Sequence, residues 1–197
     1  MLMKTHDVGG SPSPDEEPTL PDLLTPGLQV VFIGINPSRF SVERGHYFAR
    51  PANRFWAALS ASRLSERARI GLGRHALVPE DDRSLPAFGI GFTDIVKRPT
   101  ASASELRAAD FANGAPQLRA RLMENAPRIA CFQGATALRP FLRYALGVRD
   151  SSLDFGLQPL KIGETRIFLT PNPSPANASY RLADLVTQFN SLADELP

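Results

Sequence analysis

From residue 28 onward, apolar runs of strand length alternate with segments of helical periodicity, and that alternation narrows the folds open to this chain. Strand patterns occupy residues 29–35, 89–96, 128–133 and 165–170, and residues 160–162 join the last of these as a short hairpin through Gly163 and Glu164. Helical patterns fall between them. One covers 53–64 with Asn53 placed to cap it, one covers 104–125 with a candidate break at 114–116, and one covers 135–146. A polar loop is expected after the first of these helices. The last helical pattern, 179–196, sets Leu182, Leu185, Val186, Phe189 and Leu192 on one face. The order predicts an α/β domain, a three-layer α/β/α sandwich around a mainly parallel central sheet. In such sheets ligands sit outside the carboxyl ends of the strands.

Composition bounds the function classes. With 197 residues and 43% hydrophobic content, the chain suits one soluble globular domain. Residues 1–26 are rich in Pro, Ser, Gly and acids and read as a flexible tail with a loosely docked PTLPDLL stretch, leaving 27–197 as the domain. Charge is divided the same way. The tail carries one lysine and five acids, which leaves 21 basic and 15 acidic residues in 27–197. Nineteen of the basic residues are arginines, whose planar fork suits phosphate. No run reaches the ~18 apolar residues of a membrane span, and the N-terminus lacks the pattern of a signal peptide. The single cysteine, Cys131, excludes an internal disulfide. One cysteine and three scattered histidines make a poor metal set, so neither metal nor organic cofactor is expected. The expected setting is the cytoplasm, at the nucleoid in a bacterium.

Three polar segments fall at strand ends: GINPS at 34–38, Asp94, and PNPS at 171–174. Each alone is ordinary turn chemistry. Together they are more informative, because a strand runs into Asn-Pro-Ser twice, at opposite ends of the chain. Proline fixes φ and stiffens both turns, and rigid loops presenting amides and hydroxyls suit a small polar ligand or a phosphate. Tyr47 and Phe48 lie in the loop before the helix at 53, where an aromatic ring can stack on a flat ligand. His46 is either solvated or catalytic. Asp94 is either a hydrogen-bonded strand-end carboxylate or a general base.

The stretch GINPSRFSVERGHYFARPANRFW, residues 34–56, resembles the first motif of the mismatch-specific uracil-DNA and thymine-DNA glycosylase branch of the uracil-DNA glycosylase superfamily. Asn172-Pro173-Ser174 is similar to that branch's second loop, and KRPTASASEL, 97–106, to its Arg-Pro-Thr segment. The resemblance covers roughly 28–192. It implies a uracil-DNA glycosylase-like fold and base excision from double-stranded DNA containing uracil, especially in G·U mispairs, or mismatched bases. The nucleotide is flipped out of the stack, the N-glycosidic bond is hydrolysed, and an abasic site remains. By the same resemblance Asn36 holds the attacking water and Phe48 stacks on the base. Ile35, Phe48 and Asn172 bind it, while Ser38, Ser174, Pro175, Ala176, Asn177 and Arg181 meet DNA.

The chain departs from the family pattern in three places. Ser38 stands where the family has glycine. Pro175-Ala176-Asn177 offers no large apolar wedge for the gap in the duplex. Asp94 occupies a position that is basic in one familiar member, which makes it a candidate to share water activation with Asn36. Arg39, Arg44, Arg50 and Arg181 flank the loops and are candidate phosphate contacts. Lys97 and Lys161 are not expected to form a Schiff base, so the expected activity is monofunctional, and the expected assembly is a monomer. Two other readings remain open: a non-catalytic binder of nucleotides or damaged DNA on the same fold, and a small-molecule hydrolase using Asp94.

Overall fold

The computed structural model describes residues 18–149 and 152–197; of the tail expected over 1–26, residues 1–17 lie outside the described residues. Five strands form one sheet: β1 (Val30–Gly34), β2 (Ile90–Asp94), β3 (Ile129–Gln133), β4 (Gly156–Ile162) and β5 (Thr165–Thr170), in the order β2-β1-β3-β5-β4. The first four in that order run parallel, and β4 pairs antiparallel at the edge. Six α-helices accompany them: α1 (Arg39–Arg44), α2 (Phe55–Ala61), α3 (Glu66–Leu72), α4 (Ala108–Asn125), α5 (Ala135–Ala145) and α6 (Leu182–Asp194). This is the three-layer arrangement that the alternation predicts.

The period-2 alternation of each strand divides the core between two faces. Phe32, Phe92, Cys131 and Phe168 lie beneath Phe55, Trp56 and Leu59 of α2 and Leu185, Phe189 and Leu192 of α6. Phe32 meets Phe55 edge-on at 4.9 Å between ring centroids and Phe189 at 5.3 Å. On the other face, Val31, Ile33, Ala130, Phe132, Ile167 and Leu169 pack against Leu118 and Leu122 of α4 and Leu138, Phe141 and Leu142 of α5. Both faces of the parallel strands are buried, which explains their nearly continuous apolar sequence.

Local chemistry accounts for the departures from expectation. Helix α1 forms over a stretch to which the sequence pattern assigns no element, because the Ser38 Oγ accepts the Ser41 N–H at 3.1 Å and caps it. The polar stretch after α2 contains α3 and a 3₁₀ segment, Pro79–Phe88. Helix α4 runs unbroken through Gly114 and Pro116. Gly114 is needed for packing: a Cβ there would lie 2.2 Å from the Ile95 carbonyl oxygen, so only glycine lets α4 approach the chain leaving β2. Strand β4 begins earlier than expected and contains Pro159, tolerated because its ladder is irregular between Leu157 and Lys161 on an edge strand.

The stretch 18–24, expected to dock loosely, is built into the sheet. Leu20 is buried, and Leu23 exchanges two backbone hydrogen bonds with Phe92 at 2.9 and 3.1 Å. Asp22 accepts from Thr93 Oγ1 at 2.5 Å and Lys97 Nζ at 2.8 Å, and pairs with Arg121 Nε at 3.1 Å. One carboxylate thus neutralises two half-buried cations beneath the end of β2. Asp22→Ala is expected to destabilise the fold by about 1–3 kcal/mol, because charged hydrogen bonds are lost and both cations are left unpaired. Denaturant unfolding of the purified variant against wild type measures this.

Candidate active site

The parallel register decides what meets at the carboxyl end of the sheet. Gly34 pairs with Asp94, and Gln133 with Thr170, so β1, β2, β3 and β5 end nearly level. Alternation along each strand sets Asp94 and Gln133 on the same face as Phe32, Phe92 and Cys131; Gln133 Nε2 indeed contacts Cys131 Sγ at 3.4 Å. Between those two side chains stands Gly34. A Cβ at Gly34 would lie 2.2 Å from Asp94 Oδ1, so the glycine is what admits the carboxyl group over β1. A cavity of about 890 Å³ opens above this row, enclosed by the loops that leave the four strands.

Asn36 lies in the first of those loops. Its Nδ2 donates to Thr100 Oγ1 at 2.8 Å, the Arg98 carbonyl at 3.0 Å and the Pro37 carbonyl at 3.3 Å. Carbonyl oxygens only accept, so these contacts fix the amide with its nitrogen toward the 98–100 segment. The Oδ1 is left as the hydrogen-bonding group that this cavity-lining side chain offers a water.

Phe48 forms a flat wall of the same cavity and stacks on Phe55 at 4.2 Å with 19° between the ring planes. Its backbone is left-handed, φ 52°, an unfavourable conformation for a residue with a Cβ. The neighbouring Tyr47 supplies the restraint: its N–H donates to Asp82 Oδ2 at 2.9 Å, and its carbonyl accepts from Trp56 Nε1 at 2.9 Å. His46 Nδ1 sits 3.0 Å from Asp82 Oδ1 and is absent from the cavity lining. It is therefore a clamp on this loop, paired where the sequence suggested solvation or catalysis. Tyr47 itself lines the cavity, and its hydroxyl donates to the Pro21 carbonyl at 3.1 Å. Burial, and then the charge of Asp94, hold its pKa well above that of an ordinary phenol.

Asp94 is buried, and its Oδ2 has no protein donor. Burial pushes its pKa up to about 7; Asp22 adds to the rise, while Lys97 and Arg121 oppose it. A carboxyl group poised in this way exchanges a proton readily near neutrality.

The second Asn-Pro-Ser loop closes the opposite wall. Asn172 Oδ1 accepts the Ser174 N–H at 2.9 Å, and Asn177 Nδ2 donates to the Asn172 carbonyl at 3.0 Å. The whole loop is tied down by Arg54. Its guanidinium donates to the carbonyls of Pro173 at 3.3 Å, Ser174 at 2.7 Å, Asn177 at 2.8 Å and also Tyr180, and its backbone N–H reaches Pro173 at 3.1 Å. A planar, multi-donor side chain is required for this, and lysine has no equivalent geometry.

Of the residues singled out in the sequence, Ile35, Asn36, Ser38, Phe48, Asp94, Asn172, Ser174, Pro175, Ala176 and Asn177 all line the one cavity. Arg181 does not; it stands exposed at the start of α6, its N–H donating to Asp184 at 2.7 Å. Arg50 lines the mouth and reaches the Ala101 carbonyl at 3.3 Å. Arg39 and Arg44 are exposed on α1, and the Arg44 guanidinium lies 5.3 Å from the Phe40 ring centre. Lys97 is paired with Asp22 and absent from the lining, and Lys161 is exposed on β4. Sequence reasoning missed Leu20, Arg54 and Gln133. Gln133 carried a signal: a polar residue ending an apolar strand, as Asp94 does.

The uracil DNA glycosylase superfamily model matches residues 21–193. Among solved structures, the chain is similar to the solution NMR structure of a candidate uracil DNA glycosylase from Methanosarcina acetivorans, at 20% identity and a TM-score of 0.50, covering 89% of this chain and 97% of that one. That likeness bears on the fold.

Arg54→Ala removes the four side-chain hydrogen bonds that hold the loop to the entry of α2. Amide hydrogen exchange over 173–180 is expected to accelerate by about tenfold or more, with exchange in β1 and β3 much less affected, as mass spectrometry of the two proteins would report.

Proposed function

The chain belongs to the uracil DNA glycosylase superfamily, and on that premise we propose that it is a monofunctional DNA glycosylase of the mismatch-specific kind. It flips uracil, above all from G·U mispairs, out of double-stranded DNA and hydrolyses the N-glycosidic bond. One observation carries this reading: a single cavity at the strand ends combines a backed aromatic wall, an oriented amide oxygen and a buried carboxyl group near neutrality. A binding module needs the wall but has no need of the other two.

The chemistry follows from the charges that develop. As the C1′–N1 bond breaks, the sugar becomes oxocarbenium-like and the base departs as an anion. Phe48, backed by Phe55, holds the extruded ring. Asn36 Oδ1 orients a water toward C1′; an amide is a weak base, but a cationic carbon requires only a weak nucleophile. Asp94, as the carboxylate, stabilises the cationic sugar and takes the proton released by the water. Backbone groups of Ile35 and Phe48, together with Asn172, contact the base. Ser38 and the 174–177 loop meet the flanking strand, with Arg50 beside them and the exposed Arg39, Arg44 and Arg181 available to phosphates. A mispaired base costs less to unstack, which favours G·U sites.

Single-turnover release of base from duplexes carrying G·U, A·U and G·T tests the reading. Asn36→Ala is expected to slow uracil release by about 100-fold or more. The carboxylate is the active form of Asp94, so the wild-type rate should rise with pH through about 7 and then level off. Asp94→Asn should be slower and lose that rise. Salt-sensitive retention of uracil duplex with no abasic site formed would identify a binder, and the glycosylase reading would fall.

A further inference from the structure

Resting on the glycosylase reading, we propose that Gln133 is a specificity-determining residue: its carboxamide, facing Asp94 across the Gly34 gap, reads the hydrogen-bonding edge of the extruded base and selects a pyrimidine presenting an imide, a carbonyl beside a ring N–H.

Three observations converge on this residue. Gln133 is 2% exposed yet lines the cavity, and its Oε1 has no donor within the protein. Leaving a buried amide oxygen without a partner is costly. A residue serving only to fill the end of β3 would be better apolar, as Phe132 beside it is. Second, β3 lies between β1 and β5, the strands that lead into the two Asn-Pro-Ser loops, so Gln133 sits on the floor between those loops. Third, the neighbouring side-chain position on β1 is glycine, and among the described residues the only group reaching over it is the Asp94 carboxyl. A flat ring against Phe48 has that gap beneath its edge, with one hydrogen-bonding side chain on each flank.

Chemistry then narrows the ligand. Cys131 Sγ is a weak acceptor, so the 3.4 Å contact from Gln133 Nε2 yields readily to a better one. A carboxamide presenting an oxygen and an N–H side by side is complementary to a ring N–H next to a carbonyl, the edge shared by uracil and thymine. Cytosine offers a ring nitrogen acceptor beside an amine, and pairs only if the carboxamide is reversed.

The test compares wild type with Gln133→Met, close in length and without polar atoms, and Gln133→Ala. Substrates are G·U duplex and the same duplex carrying N3-methyluracil, which lacks the ring N–H. A duplex with a tetrahydrofuran abasic analogue serves as ligand for equilibrium binding. Both variants are expected to lose about 10- to 100-fold in kcat/KM on uracil. Wild-type preference for uracil over N3-methyluracil should shrink in both variants, while affinity for the abasic duplex, which has no base to read, stays within about twofold of wild type. Unchanged uracil excision in both variants overturns the assignment and leaves the glycosylase reading standing. An equal loss of abasic-duplex affinity in both also overturns it, because the residue would then be structural. Wild type that excises no uracil would defeat the underlying reading instead.

Discussion

The level ending of four parallel strands is the constraint on which the rest of the molecule depends. Gly34, Asp94, Gln133 and Thr170 terminate β1, β2, β3 and β5 in register, and a slip of one residue would turn Asp94 and Gln133 to the opposite face. That register is enforced from below. Phe32, Phe92, Cys131 and Phe168 form one buried row beneath α2 and α6, and the rows above and below face α4 and α5. Displacing one strand would force large aromatic rings into the wrong layer, where close packing leaves no room for them. The aromatic core therefore acts as the alignment device for the polar groups at its rim.

Electrostatics at that rim are set at a distance. Asp94 is held near neutrality by burial and by Asp22, against the opposing pull of Lys97 and Arg121. Asp22 also neutralises those same two cations. The short N-terminal stretch is thus part of the site in two ways: Leu20 lines the cavity, and Asp22 balances the field beneath it. A raised carboxyl pKa carries a sign. The folded state favours the protonated form, so stability is lost as pH rises from the ordinary carboxylate range toward 7, where Asp94 ionises. A group held at such a cost in a cavity, with one oxygen unpartnered, is characteristic of a functional position.

Much of this was legible in the sequence, for identifiable reasons. Apolar runs fully buried on both faces carry a strong signal, so the strands and the layering followed from pattern alone. The two Asn-Pro-Ser loops and Phe48 were legible because rigid turns at strand ends have few bland uses when they recur. What escaped were features that depend on a distant partner. Ser38 looks like one more loop residue until its hydroxyl caps α1. Gly114 and Pro116 look like a helix break, yet Gly114 answers to the carbonyl of Ile95. Arg54 gives no local hint that it binds carbonyls about 120 residues away. Leu20 and Asp22 sit in a stretch whose proline and acid content resembles a tail, and only the sheet edge they cover gives them a fold.

Arg54 also explains how two loops from opposite ends of the chain can line one cavity. Its neighbour Phe55 backs the Phe48 wall, while its guanidinium holds the carbonyls of the 173–180 loop. Both contacts leave from the first turn of α2, so the wall and the loop share one rigid base. The strained backbone of Phe48 is sustained by the same helix, through Trp56 Nε1 on the Tyr47 carbonyl. Three consecutive residues of α2 and its entry thus set the ring, its backing and the opposing loop. Extrusion of a base is already costly, and a pocket that had to assemble around the ring would add the entropy of ordering two loops to that cost. On the proposed glycosylase reading, fixing both loops to one helix end removes that addition and leaves the demand for change to the DNA.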